Sequence, residues 1–278
     1  YSNYHQLHKN WKLSFEATQR DYQLYQTFDH FKLEDAINYK ISLANLMARA
    51  QGANNHEWFN KAISELKGAP VNSFNEEGEV FQNVYFQEHL FYINNGKFKE
   101  AKALVPYIID GLNKYEAKIN KARVLAFQFN IMIMYFIMHE FREALKWSET
   151  LLSDKSEIKQ HQKYVTALLL PFIHFELGHT ELVESFARSA YRLLHRKNRL
   201  HQFERLILKF LQNMPLSVDQ DDFKPMLNQL HDELVSLLED PDIPMVLGME
   251  EITLWAKSHY RGMKMSDLIN SEDSGSVE

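Results

Sequence analysis

Three stretches decide the fold: NNGKFKEAKALV at 94–105, MHEFREALKWSE at 138–149 and ELGHTELVESFA at 176–187. Each follows a strongly apolar stretch with helical spacing and opens a second, amphipathic one. They share a frame: a break residue, an aromatic or Thr two places later, an acidic residue, then a small or β-branched apolar residue. Aligned on Ala101, Ala144 and Val183, the copies stand 43 and 39 residues apart. A weaker copy, HEWFNKAISEL, places Ala62 another 39 residues upstream. Recurrence at this period is the mark of a helical array. The residues have physical jobs. Gly96 and Gly178 end one helix where a left-handed residue is needed, and only Gly adopts that conformation cheaply. Phe98 or Phe141 plugs the joint, and the small Ala101 or Ala144 lets the second helix approach the first.

Composition agrees. Of 278 residues, 45% are hydrophobic and 24% charged, the balance of an ordinary globular chain with a substantial core. Nine Gly and seven Pro are about half of average usage, which implies few tight turns and long elements. The absence of Cys excludes disulfides, thiolate metal sites and Cys nucleophiles. The run VLAFQFNIMIMYFIM at 124–138 is 15 residues long and carries Gln128 and Asn130, whereas a spanning helix needs about 20 apolar residues. It reads as a buried helix of a soluble, cytoplasmic protein. The chain starts at Tyr1 and reads as a piece of something longer.

The GKFKEA of 96–101 resembles the helix-turn-helix joint of the tetratricopeptide repeat, Gly-x-Tyr-x-Glu-Ala. HEFREA (139–144) has His in place of Gly, and GHTELV (178–183) keeps little beyond the Gly. Tyr92, Tyr135 and His174 match the family's aromatic late in the first helix. The spacing of about 40 exceeds the family's 34, and its helix-ending Pro is missing. The resemblance covers roughly residues 80–195. It implies an all-α chain: a tetratricopeptide-like α-solenoid of antiparallel helix pairs with C-terminal capping helices. The array is assigned to 1–212, an acidic helical segment to 213–269 and a disordered tail to 270–278. Further helices are expected at about 12–28, 33–51, 56–67, 225–239 and 245–260, with a loop at 68–78 (GAPVNSFNEEG) and a linker at 213–225.

In such an array the first helix of each repeat lines an inner groove. By resemblance the groove positions fall on Phe86, Leu90 and Ile93, on Phe129, Ile133 and Phe136, and on Leu168, Phe172 and Phe175. All nine are apolar, and the Lys, Asn and Arg clamp with which some family members hold a peptide carboxylate is missing. Two readings stay open. These helices are buried on both sides, as helices apolar all round usually are, or the groove receives an amphipathic helix. That guest comes from a partner or from the chain's own last helix, with Met245, Leu247, Met249, Ile252 and Trp255.

The formal charge of −6 is unevenly spread. Arg188, Arg192, Arg196, Lys197, Arg199, Arg205 and Lys209 face a single Glu204 within 188–209, whereas 215–278 carries 14 acidic against 4 basic residues. Helical geometry puts Arg188, Arg192, His195 and Arg199 within about 60° of one another, and Leu182, Phe186, Ala190 and Leu193 opposite. The Arg row (188, 192, 196, 199) is a candidate grip for a carboxylate-rich partner, or a solvated face. Nucleic acid is disfavoured by the narrow basic field and a pI near 6.1.

No chemistry emerges. Thirteen His include no HExxH, and Glu176 with His179 forms a lone Glu-x-x-His that lacks the second copy a di-iron bundle needs. Asp219, Asp221 and Asp222 lack the Gly and Glu of a calcium loop. No phosphate loop or nucleophile elbow occurs. The sequence therefore predicts no catalytic residue, metal or cofactor. It predicts a non-catalytic scaffold, adaptor or assembly subunit whose partner is a protein or peptide, an amphipathic helix included. A peptide-binding regulatory sensor is the alternative, and an all-α enzyme ranks below it.

Overall fold

The apolar helical periodicity is realised as fourteen helices and no strand among the described residues. The computed structural model describes residues 11–214, 220–240, 242–243 and 247–275. The chain divides into two units, residues 1–120 and 121–278.

The first unit contains α1 (Trp11–Thr27), α2 (Phe31–Glu34), α3 (Ala36–Gly52), α4 (His56–Gly68), α5 (Phe74–Asn94) and α6 (Phe98–Lys114). Neighbours pair, α3 with α4 and α5 with α6, and α1 packs on α3. Leu43, Leu46, Met47, Phe59, Leu66 and Phe91 form the centre of its core. Phe59 and Phe91 stack with ring centres 4.1 Å apart. The expected loop at 68–78 is shorter. Ser73 Oγ accepts from the Glu76 amide at 3.2 Å, and this cap starts α5 at Phe74, so Gly78 lies inside the helix.

The second unit contains α7 (Lys121–Ile137), α8 (Phe141–Ser153), α9 (Gln160–Glu176), α10 (Thr180–Arg196), α11 (Gln202–Asn213), α12 (Gln220–Glu239), α13 (Met249–Arg261) and α14 (Met265–Gly275). Again neighbours pair: α7 with α8, α9 with α10, α12 with α13. Every residue from Ile131 to Ile137 on α7 and from Tyr164 to His174 on α9 is buried, so the apolar run at 124–138 is a core helix. Among the described residues no helix is long and apolar enough to cross a membrane. α14 was not expected, and it takes in the first residues of the stretch read as a disordered tail. Residues 276–278 and the loop residue Asp219 lie outside the described residues.

One joint closes the helix pairs. Lys97 N–H donates to the Tyr92 carbonyl at 2.8 Å, Glu140 to Tyr135 at 2.9 Å and His179 to His174 at 2.9 Å. In each case the donor follows a left-handed residue: Gly96 (φ 65°), His139 (φ 59°) and Gly178 (φ 77°). Asn54 (φ 54°) makes the same joint at the weaker copy, where Asn55 donates to Ala50 at 2.8 Å. This is the six-residue Schellman closure. Its acceptors in the three clear copies are the aromatic positions Tyr92, Tyr135 and His174. The aligned Ala62, Ala101, Ala144 and Val183 are all fully buried, as close helix approach requires. The neighbour-paired, all-helical arrangement is compatible with a repeat solenoid.

Candidate functional site

The six groove positions of the second unit are covered by the chain's own helices. Phe129, Ile133, Phe136, Leu168 and Phe172 are buried and Phe175 is half-buried. The chain's C-terminal segment packs against this face. Met249, Ile252 and Trp255 of α13 are fully buried, and α13 reaches both α7 and α12. The Trp255 ring meets Phe172 edge-on at 4.6 Å between centres and Phe175 and Phe210 at 6.2 Å. Of the other proposed guest residues, Leu247 is exposed and Met245 lies outside the described residues. In the first unit Ile93 is buried and Phe86 and Leu90 are half-buried.

Polar contacts fasten this segment. Trp255 Nε1 donates to Glu176 Oε1 at 2.5 Å, and His259 Nε2 meets the same oxygen at 2.5 Å. The Met265 amide donates to His139 Nε2 at 3.1 Å, which places the proton of the neutral ring on Nδ1. Burial pushes the His139 pKa down, with Glu176 opposing. His139, Glu176 and His259, with Lys264, border a cavity of about 440 Å³. Their hydrogen bonds are spent on holding α13 and α14. The Glu-x-x-His pair is thus split, with Glu176 facing α13 and His179 Nδ1 lying 3.2 Å from His174 Nδ1. Among the described residues no group of three or more His, Asp or Glu could hold a metal ion.

Arg188, Arg192 and Arg196 are exposed on α10, with Arg188 paired to Glu184 at 3.1 Å. Arg199 is exposed too but lies beyond the helix, which ends at Arg196, with Asn198 at φ 53°. Helical extrapolation of the stripe to 199 therefore fails. The buried side of α10 is Val183, Ala187, Ala190 and Leu194, a slight rotation from the expected face, and Leu182 is left at the surface.

One exposed apolar surface was not foreseen. A groove of about 560 Å³ runs between α1 and α3, with α2 at one end. Leu24, Phe28, Phe31 and Ile41 line it and are between 43% and 59% exposed, and Leu33 and Ile37 beside it are more than half exposed. The available signal was α3 itself. Its buried residues Leu43, Leu46, Met47 and Ala50 occupy one face, while Ile37 and Ile41, spaced i and i+4, make a second stripe. Such a helix has more apolar surface than one neighbour covers.

No family model, curated protein or solved structure matches this chain.

Proposed function

We propose that the chain is a non-catalytic interaction module of tetratricopeptide-like repeats, a scaffold, adaptor or assembly subunit that holds another protein. The observation that carries this reading is the α1–α3 groove. Leu24, Phe28, Phe31 and Ile41 line one groove while exposed, and contiguous apolar patches of that kind mark interaction sites. The repeated joint supports a repeat scaffold, and the Arg face of α10 offers a second, polar surface.

The regulatory-sensor reading has one observation in its favour. Trp255 of the chain's own α13 packs on Phe172 and Phe175, two positions that the family resemblance assigns to the groove, so a competing helix would act by displacing α13.

Affinity capture from native extract, read by mass spectrometry, separates these. Wild type is compared with Leu24→Glu/Ile41→Glu and with Arg188→Glu/Arg192→Glu/Arg199→Glu. A defined protein recovered by wild type and lost in the groove variant supports the adaptor reading at α1–α3. Loss only in the Arg variant moves the contact to α10. Recovery of no reproducible partner by wild type overturns the scaffold reading.

A further inference from the structure

We propose that the α1–α3 groove receives an amphipathic helix whose apolar stripe is flanked by Lys or Arg. The inference rests on the reading of the chain as an interaction module and specifies the partner's chemistry. The groove walls are two helix faces: Thr18, Asp21 and Tyr25 recur at three- to four-residue steps on α1, with Phe28 just past its end, and Asn38, Ile41 and Asn45 do so on α3. From Thr18 to Phe28 the wall is about 15 Å long, enough for three turns of a guest helix. Backbone groups inside helical walls are already paired, so no edge is offered to an extended strand, and recognition falls to side chains.

Charge selects among helices. Two carboxylates, Asp21 and Asp35, line the groove, and no cation does among the described residues. Asp35 is held in place by the Asn38 amide at 2.8 Å and the Tyr25 hydroxyl at 3.3 Å. The nearby Lys32 is taken up by Asp29 at 2.8 Å and Gln26 at 2.9 Å, so it does not offset them. Glu34 adds a further exposed carboxylate on α2. An apolar floor with fixed negative charge complements a basic amphipathic helix, repels an acidic one and disfavours an anionic lipid surface.

The test uses the full chain and two labelled helical peptides with one Leu stripe, flanked by Lys in one and by Glu in the other. Fluorescence anisotropy is expected to show the Lys peptide binding about tenfold more tightly than its Glu twin at low salt, as two surface ion pairs would give. Raised salt and Asp21→Asn/Asp35→Asn should each narrow that ratio. Ile41→Glu should abolish binding while leaving the thermal melt unchanged, because the side chain is already exposed. Equal binding of both peptides, lost in Ile41→Glu, overturns the charge preference and leaves the interaction reading standing. Three results overturn the proposed occupant: concentration-dependent self-association that Ile41→Glu abolishes, binding to phosphatidylserine vesicles that it abolishes, and binding that it leaves intact. Failure of both peptides to bind overturns the occupant, and only the capture experiment then speaks to the wider reading.

Discussion

Trp255→Ala is the sharpest probe of whether α13 is a core element of the second unit. Trp255 is fully buried against Phe172, Phe175 and Phe210, and its indole N–H reaches Glu176. Truncating a buried aromatic of this size costs about 3–5 kcal/mol through lost transfer energy and the cavity left behind. The lost donor adds about 1 kcal/mol, because Glu176 keeps only His259. A total near 4–6 kcal/mol corresponds to about 8–24 °C in the melting of a unit of this size. Trp255→Phe keeps most of the ring and loses the N–H, so roughly a third of that loss is expected. Urea unfolding followed by circular dichroism measures the change. A loss below about 1 kcal/mol, or equal losses for Ala and Phe, would refute the reasoning, since no core site filled by an indole behaves that way.

His89 is fully buried on α5 with neither ring nitrogen hydrogen-bonded, and burial lowers its pKa to about 4. The unfolded chain takes up this proton below about pH 6.5 and the folded chain does not until about 4, so stability is lost as pH falls through that window. Relative to His89→Met, wild type should lose about 2–3 kcal/mol between pH 7 and pH 4.5 in urea midpoints, and a constant gap would show the imidazole to be solvated. Gly248 sits at φ 91°, and an added Cβ would meet Val165 Cγ1 at 2.5 Å, so Gly248→Ala should cost about 2–4 kcal/mol, with partial recovery in Val165→Ala. Gly178→Ala meets nothing within 4 Å and should show only the backbone share, about 1–2 kcal/mol. Asp154 binds Lys121 and Lys163 at 2.7 Å and Ser156, which hold its pKa well below the usual carboxylate range. Asp154→Asn should lower the melting temperature at neutral pH. That difference should shrink as pH drops below about 4, where the unfolded carboxylate of wild type takes up its proton.

The joint was legible because its requirements are local. A left-handed residue, a plug and a small residue must follow in fixed order, and GKFKEA states all three. His139 shows the limit of reading by residue type, since it holds a conformation that Gly takes at the two other clear copies. Its ring is engaged by the Met265 amide, a partner 126 residues away that no local pattern reveals. Helix ends were found to within a few residues except where a cap overrode composition, as Ser73 did in a stretch rich in turn formers. The apolar groove positions were read correctly as apolar, but periodicity cannot say which helix covers them. Leu182 and Val183 are both aliphatic and adjacent, so the buried face of α10 was uncertain by one position until packing chose Val183. The α1–α3 groove went unread because exposed apolar residues on α2 and α3 look like core in a linear sequence.

The fastenings of α13 also set a schedule. Each joint is closed by residues five apart, so a helix pair can form as soon as it leaves the ribosome. Trp255 follows Glu176 by 79 residues. At about 5–20 residues per second, the face around Phe172 is made roughly 4–16 s before the helix that covers it. During that interval the nascent second unit presents bare aromatic surface, a demand for chaperone shelter that ends when α13 arrives.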